Sequence, residues 1–170
     1  MVPPLYDDEA DQLVSACESI GERLVVWTLL DTGMRFGELA GLKKANIDWD
    51  RYRLTVYGKG GPYGPMSKRR VLPMSVRVRA LMEHHFANRD DLGISRRTIQ
   101  RIVSTVAHRA SVSRPVSTLT LSHSFAVTAI RRGISLPSLQ LLLSHEDLAT
   151  TQLHLNLSPE DVICEYEAKW

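Results

Sequence analysis

The stretch TGMRFGEL at residues 32–39 places an arginine directly after a tight turn and at the beginning of a helix. Residues 22–30, which precede it, are apolar at helical spacing, and Gly33 breaks that helix because glycine adopts turn conformations easily. Residues 35–44, which follow it, show the helical period again, so a second helix is predicted there. Two helices joined by this turn therefore present Arg35 at the start of the second one.

A β-hairpin with a long tip is predicted downstream of this turn. Residues 51–57 alternate polar and apolar side chains, as a half-buried strand does, and residues 69–72 form a second strand that ends at Pro73. The segment GKGGPYGP at residues 58–65 is too rich in glycine and proline to be anything but a loop. Lys59 is therefore expected near the tip of the hairpin.

The other periodic segments are helical, so the sequence predicts a mainly α domain with one small antiparallel β-sheet, in the α+β class. No composition shift, repeat or linker divides the chain, and we expect residues 1–170 to form a single compact domain. A turn is predicted at residues 46–48, and the predicted helices are one capped by Asp7 or Asp8 and those at residues 75–86, 95–110, 122–132, 137–143, 148–155 and 159–169.

Composition and cysteine usage exclude several classes of protein. The 170 residues are 44% hydrophobic and 24% charged, and the longest apolar run is far shorter than the roughly 20 residues of a membrane span. Cys17 and Cys164 lack the spacing of a metal site or a disulfide framework, which indicates a reducing compartment. The first residues, MVPP, lack the character of a signal peptide. We therefore expect a cytoplasmic protein with no membrane partner and neither a metal nor a small-molecule cofactor.

Charge is distributed unevenly along the chain although the net charge is only +2. Residues 92–145 contain no Asp or Glu but carry seven arginines, and a second basic cluster flanks the hairpin tip. Clustered arginine without interspersed acid favours a polyanion such as nucleic acid over a merely solvated basic face. The predicted DNA contacts are Lys68, Arg69, Arg70, Arg96, Arg97 and Arg101; the other arginines of the acid-free stretch are Arg109, Arg114, Arg131 and Arg132.

Four regions of the chain combine in a characteristic order. They are TGMRFGEL (32–39), GKG (58–60), LSHSFA (121–126), and LLSH (142–145) followed by TTQLH (150–154). Lys59 follows Arg35 by 24 residues, and position 154 follows His145 by 9. Together the four regions resemble the catalytic domain of the tyrosine recombinase (phage integrase) family, and the resemblance covers about residues 8–158.

The resemblance implies cleavage of duplex DNA by a tyrosine that attacks a phosphodiester and forms a 3′-phosphotyrosine without a metal. Forked arginine donors suit the transition-state oxygens, and a hairpin lysine protonates the leaving 5′ oxygen. Arg35 occupies the position of the first arginine, Lys59 that of the lysine and His145 that of the second histidine. Glu38 is expected to steady either the helix or an arginine.

Three other positions of the family pattern carry different residues. Leu119 stands at the first catalytic histidine, Ser122 at the second arginine and His154 at the nucleophilic tyrosine, while His123 matches a non-catalytic histidine. Loss of one charged donor at a transition-state oxyanion costs roughly 3–4 kcal/mol, and loss of the nucleophile removes the covalent route. The sequence therefore predicts a DNA-binding domain of the recombination and integration class whose strand transfer is weak or absent.

The sequence leaves three alternative functions open. One is an active integrase in which His154 or Tyr166 supplies the nucleophile. Another is a helix-turn-helix regulator that reads DNA with residues 93–102, where Ser95 would cap the recognition helix. The third is an interaction module that does not bind DNA.

Two further expectations concern the ends of the chain. The N-terminal core-binding domain typical of the family is expected to be absent, because the sequence starts almost at the catalytic domain. Residues 159–170 resemble the tail that family members dock on a neighbouring recombinase subunit, and packing on the same chain is the alternative. When bound to DNA, the protein is expected to be associated with the nucleoid.

Overall fold

A computed structural model of the protein describes residues 4–58, 68–143 and 159–170. Within these ranges the fold is mainly helical with a small antiparallel sheet, which confirms the predicted class. The helices are α1 (Asp7–Ser15), α2 (Ile20–Thr32), α3 (Phe36–Ala40), α4 (Val76–His85), α5 (Arg96–Arg109), α6 (Thr118–Arg131), α7 (Leu136–Leu143) and α8 (Pro159–Lys169); the strands are β1 (Ile47–Asp48), β2 (Arg53–Gly58) and β3 (Lys68–Pro73), and Lys44–Asn46 form a 3₁₀ turn.

Helix α2 lies at the centre of the core. Leu24, Val25 and Leu29 are fully buried, and α1, α4, α5 and α6 all pack against this helix. A helix that is largely apolar on all sides is expected in such a central position. It ends at Gly33, whose φ of +68° lies in the left-handed region that favours glycine. The packing of α2 therefore fixes the turn that precedes Arg35.

The sheet has the order β1-β2-β3, and both strand pairs are antiparallel. Strands β2 and β3 form the predicted hairpin, with Val56 opposite Arg70. The predicted turn at residues 46–48 is wrong, because this segment contributes β1, which pairs with β2. Ile47 is buried at 8% exposure, so packing of its side chain on the core favours a strand over the local turn preference.

Helix α3 is shorter than the predicted helix at residues 35–44. The chain leaves the helix at Gly41 and forms bonds with the segment that precedes α5 instead. The Leu92 amide donates to the Leu42 carbonyl at 3.1 Å, and the Lys44 amide donates to the Asp90 carbonyl at 2.9 Å. These long-range bonds replace the helical bonds that the periodicity predicted.

Helix α8 packs on its own chain. The side chains of Val162, Ile163 and Tyr166 are buried. Glu165 on the same helix accepts hydrogen bonds from the backbone amide and the hydroxyl of Ser135, which directly precedes α7. These contacts join α8 to its own chain, and docking of the tail on a neighbouring recombinase subunit stays a prediction.

Neither a membrane-spanning helix nor a metal cluster occurs in the described ranges. No helix there reaches the length and apolarity that crossing a bilayer demands. The same ranges hold no group of three or more His, Cys, Asp and Glu side chains that could bind a metal ion.

Candidate functional site

Arg35 is the N-cap residue of α3, and its side chain is exposed. Its backbone is extended, with φ −75° and ψ 146°, so the chain changes direction here between α2 and α3. The backbone amide of Arg35 donates to Oε1 of Glu38 at 2.8 Å, as in a capping box. The guanidinium of Arg35 is therefore presented to solvent from a backbone that is held in place.

Glu38 is buried and is bound by a second arginine. The side chain of Glu38 is 4% exposed and that of Arg70 is 10% exposed. Arg70 donates from Nε to Oε2 at 2.9 Å and from Nη2 to Oε1 at 2.6 Å, which is the bidentate geometry of strong arginine–carboxylate pairs. The expectation that Glu38 steadies the helix or an arginine is confirmed, because it does both.

The structure gives Arg70 an internal role in place of the predicted DNA contact. Its Nη1 donates to the carbonyl of Leu142 in the last turn of α7, so the guanidinium is turned toward acceptors inside the protein. An arginine that is mostly buried and bound in this way is not placed to meet the DNA backbone. Sequence reasoning missed the pairing because Arg70 and Glu38 are 32 residues apart.

The Glu38–Arg70 ion pair lies where three site-bearing segments meet. Helix α3 brings Arg35, and Leu142 belongs to the helix that leads toward His145. Gly58, which precedes Lys59, lies against the same carboxylate, since a β-carbon there would be 3.6 Å from Oε2 of Glu38. The predicted site residues Lys59, His145 and His154 lie outside the described ranges, as does the side chain of Lys68.

Helix α6 carries two of the positions at which the family pattern is lost. It begins at Thr118, one turn before the predicted start, because the hydroxyl of Ser117 caps its first turn. Leu119 is 50% exposed, and the half-buried Ser122 donates its hydroxyl to the carbonyl of Thr118 at 3.5 Å. Neither side chain supplies the charged donor that stabilises a phosphoryl oxygen.

Helix α6 also packs directly on the turn that precedes Arg35. The ring of Phe125 lies so close to Gly33 that a β-carbon there would be 2.5 Å from a ring carbon. Phe125 is one helical turn beyond Ser122, so this part of α6 borders the turn. The sequence correctly places Phe125 in the core, but no local pattern signals this long-range contact.

The exposed surface of α5 carries three arginines, Arg96, Arg97 and Arg101, which we call the α5 basic face. Within the described ranges, none of the three has an acidic partner. Ser95 caps the helix as predicted, with its hydroxyl accepting a first-turn amide at 3.2 Å. The buried side of α5 carries Ile99, Val103 and Val106.

Arg96 connects the α5 basic face with Arg35. Its guanidinium lies against α3, because a β-carbon on Gly37 would be 3.1 Å from Cζ of Arg96. Gly37 is two residues beyond Arg35, and α3 and α5 pack against each other. Arg35, at the N-cap of α3, and Arg96, against Gly37 of the same helix, are therefore two exposed cations carried near α3.

The other arginines of the acid-free stretch have partners inside the protein. Arg109 binds Glu22 at 2.7 Å, and Arg114 forms an ion pair with Glu9. These bonds lower the pKa values of both carboxyl groups. Acids from α1 and α2 thus neutralise much of a stretch that looks uniformly basic in the sequence. Arg131 forms an ion pair with Asp7 of α1. The guanidinium of Arg132 lies over the ring of Trp170, 4.1 Å from its centroid.

The arrangement of α4 and α5 differs from a helix-turn-helix. Ten residues, 86–95, separate the two helices, whereas the motif joins its helices by about 3–4 residues. Both helices pack against α2. The structure therefore does not provide the tight helix pair that the recognition-helix alternative needs.

Tyr166 is a core residue in the structure. It is 2% exposed, and its hydroxyl donates to the backbone carbonyl of Asp31 at 2.7 Å. Burial raises the pKa of its phenol, which disfavours the phenolate. A nucleophile must reach the DNA backbone, and Tyr166 is turned away from solvent.

The fold and the converging segments define the class of protein: a helical domain with a small sheet, like that in solved structures of a recombinase and a phage integrase. The model of the phage integrase family matches residues 4–160. The chain belongs to this family, which confirms the resemblance to tyrosine recombinases.

Two relatives of this chain carry the name tyrosine recombinase XerC. XerC of Pelobacter propionicus is 32% identical over 159 residues, which are 86% of this chain and 51% of that protein. XerC of Lactobacillus leichmannii is 29% identical over 178 residues, 95% of this chain and 60% of that protein. The chain therefore spans about half of the first relative and three fifths of the second.

Solved structures of recombinases share the fold. The crystal structure of the XerA recombinase superposes with a TM-score of 0.76 at 25% identity, over 99% of this chain and 65% of that chain. The XerH site-specific recombinase, in a pre-cleavage complex with its difH substrate, superposes with a TM-score of 0.69 at 19% identity. That match covers 89% of this chain and 49% of XerH, and it shows the fold alone.

Proposed function

We propose that this chain is a tyrosine-recombinase-like domain that binds duplex DNA through its phosphates and has little or no strand-transfer activity. The observation that carries the proposal is the exposed Arg35 at the N-cap of α3, a helix that packs against α5 and meets Arg96 at Gly37, while α6 packs on the turn before Arg35. The basic surface is retained, whereas α6 presents Leu119 and Ser122 where the family has charged or imidazole donors.

DNA binding rests on charge that has no acidic counterion among the residues that the structure describes. Arg35, the α5 basic face and the exposed Arg69 on β3 offer forked donors that match phosphate oxygens. XerH, which shares the fold, is bound to difH. Such contacts are independent of sequence, so we expect affinity for any duplex at low salt and association with the nucleoid in cells.

Impaired catalysis rests on the replaced positions. Ser122 has no guanidinium, Leu119 has no imidazole, and His154 stands where the family has tyrosine. Effects within one catalytic unit are not additive, but each lost oxyanion donor lowers the rate by about 10²–10³. A domain of this kind fits a regulator or a degenerate partner of an active recombinase.

A trapping experiment tests the catalytic half of the proposal. A nicked suicide substrate of a XerC-type site captures any covalent protein–DNA adduct, and we expect none with the natural chain. The combined variant Leu119→His/Ser122→Arg/His154→Tyr is expected to form an adduct that Arg35→Ala abolishes. An adduct of the natural chain that disappears in His154→Ala would show that histidine has replaced the nucleophile and would overturn the proposal.

Titration of a labelled duplex tests the binding half. Affinity should be measurable at low salt and should fall steeply as salt is raised, because phosphate contacts release counterions. Arg35→Ala should weaken binding, whereas Arg35→Lys should restore part of it. Absence of any DNA affinity at low salt would identify an interaction module that has merely kept the fold.

A contact with another recombinase subunit, if it uses the tail, requires release of α8 from its own chain. The buried Val162, Ile163 and Tyr166 would have to leave the core for a neighbour. We therefore expect the isolated chain to be a monomer in sedimentation velocity. A concentration-dependent dimer that Tyr166→Ala abolishes would show that the tail is exchanged.

A further inference from the structure

Stability alone does not account for a buried Glu38–Arg70 ion pair. A buried ion pair loses so much hydration that a well-packed apolar pair of similar volume is often as stable or more stable. Here both side chains are at least nine-tenths buried, at 4% and 10% exposure. The pair also borders Arg35, the residue on which the proposed phosphate binding depends.

We propose that Arg70 is a positioning residue, which acts through Glu38 to hold Arg35 ready for a DNA phosphate. The inference rests on the proposed function and names a residue through which that function works. Two N–H bonds from Arg70 fix the carboxylate of Glu38, and Oε1 of that carboxylate accepts the backbone amide of Arg35. The bond to the Leu142 carbonyl ties the assembly to α7.

Arg70 also neutralises the carboxylate next to the phosphate site. Without a cation, the negative charge of Glu38 would lie one helical turn from Arg35 and would repel an approaching phosphate. It could also draw the guanidinium of Arg35 inward, away from DNA. With Arg70 in place, the two buried charges cancel, and the positive charge of Arg35 remains available outward.

The bidentate geometry accounts for an arginine at this position. Nε and Nη2 bind the two oxygens of Glu38 while Nη1 reaches Leu142, so one planar group joins α3, β3 and α7. The single ammonium of a lysine cannot hold a carboxylate at two points and a carbonyl at a third in this fixed geometry. We therefore expect Arg70→Lys to keep the charge but to lose part of the positioning.

The first experiment is a double-mutant cycle between Arg70 and Arg35 on DNA binding. Affinity for a duplex of about 30 base pairs is measured by fluorescence anisotropy at about 50 mM salt and upward. We expect Arg70→Met to weaken binding by roughly tenfold, and Arg35→Ala to have little further effect in that background. Arg70→Lys should be intermediate.

The outcomes of the cycle separate the competing roles. Equal losses from Arg35→Ala in both backgrounds, with a salt slope reduced by about 0.9 in Arg70→Met, would make Arg70 an independent phosphate contact and overturn the inference. If folded Arg70→Met binds DNA with unchanged affinity, the ion pair has only a structural role, and the inference is overturned as well. If Arg35→Ala has no effect in the natural chain, the proposed function itself fails.

A second experiment reads the position of Arg35 without DNA. Its backbone amide is bonded to Glu38, so hydrogen exchange at that amide should be slow in the natural chain and faster in Arg70→Met. If Arg70→Met does not fold, the apolar pair Glu38→Met/Arg70→Met keeps the question answerable, because it leaves no buried charge. We expect it to fold and to bind DNA weakly; DNA affinity equal to that of the natural chain would overturn the inference.

Discussion

The arginines near the two ends of α5 lie in opposite environments, although all of them come from the same acid-free stretch. At the N-terminal end, Arg96, Arg97 and Arg101 are exposed and lack an acidic partner within the described ranges. At the C-terminal end, Arg109 is bonded to Glu22 of α2, and Arg114 just beyond it pairs with Glu9 of α1. Both places are basic and free of acid in the sequence, but the electrostatic field around them differs in the structure.

This difference shows why a charge run in a sequence does not locate a binding surface. Acids from the first two helices reach the arginines at the C-terminal end: Glu22, in the first turn of α2, binds Arg109, and Glu9, in the first turn of α1, binds Arg114. A phosphate is attracted to the end whose arginines have no acidic partner in the described part of the chain. The comparison predicts that DNA affinity and folding stability depend on different arginines.

Neutralising the α5 basic face should give the largest effect. In Arg96→Gln/Arg97→Gln/Arg101→Gln, affinity for a duplex should fall roughly a hundredfold at low salt, with a salt slope smaller by about 3, because three phosphate contacts are lost. The matched control is Arg109→Gln/Arg114→Gln/Arg131→Gln, which removes the same charge from paired arginines. Equal losses in both triple variants would erase the distinction between the two ends.

Thermal unfolding should show the reverse ranking. The paired variant Arg109→Gln/Arg114→Gln/Arg131→Gln should lower Tm by several degrees, because Glu22 and Glu9, at 16% and 12% exposure, lose their counterions. The triple variant of the α5 basic face should unfold at the temperature of the natural chain, since its side chains make no ion pairs in the described ranges. Calorimetry of the two variants side by side makes the comparison.

Acid should weaken the paired end selectively. Hydrogen bonds from Arg109 and Arg114 hold the pKa values of Glu22 and Glu9 below their usual 4.5. A carboxyl group whose pKa is lower in the folded state stabilises the fold above its unfolded pKa, and that stabilisation is lost as pH falls through the folded pKa. As pH falls below about 4.5, the urea concentration at the unfolding midpoint should therefore decrease. The decrease should be smaller in Arg109→Gln/Arg114→Gln. An equal decrease of the urea midpoint with falling pH in both proteins would contradict the role of these two ion pairs.

The smallest effect is expected at the contact between Arg96 and α3. In Gly37→Ala the new methyl group meets the guanidinium of Arg96, with its β-carbon 3.1 Å from Cζ. Because that end of the side chain is flexible, we expect no more than about a threefold loss of DNA affinity and no loss of Tm. Gly41→Ala, which meets only an ordinary contact at 3.7 Å, is the control. A larger loss would mean that Arg96 is held more rigidly than its exposure indicates.

Local patterns predicted most of the secondary structure but not its exceptions. The serine caps of α4 and α5, the hairpin and the bounds of the last helix are visible in the sequence, because caps, alternation and periodicity depend on neighbouring residues. Strand β1 and the early end of α3 depend on pairing with distant backbone. For the same reason the sequence placed Arg35 at a helix start but could not pair Arg70 with Glu38.

The sequence by itself determined the family, the turn that presents Arg35 and the identity of the replaced residues Leu119, Ser122 and His154. These features depend on residue type and on spacing along the chain. Only the tertiary structure decided which arginines face solvent and which form ion pairs with acidic residues of the same chain. Arg109 and Glu22 are 87 residues apart, and such pairs form only when the packing of the core brings their helices together. Coulomb attraction and desolvation depend on distance in space, and sequence separation does not report that distance.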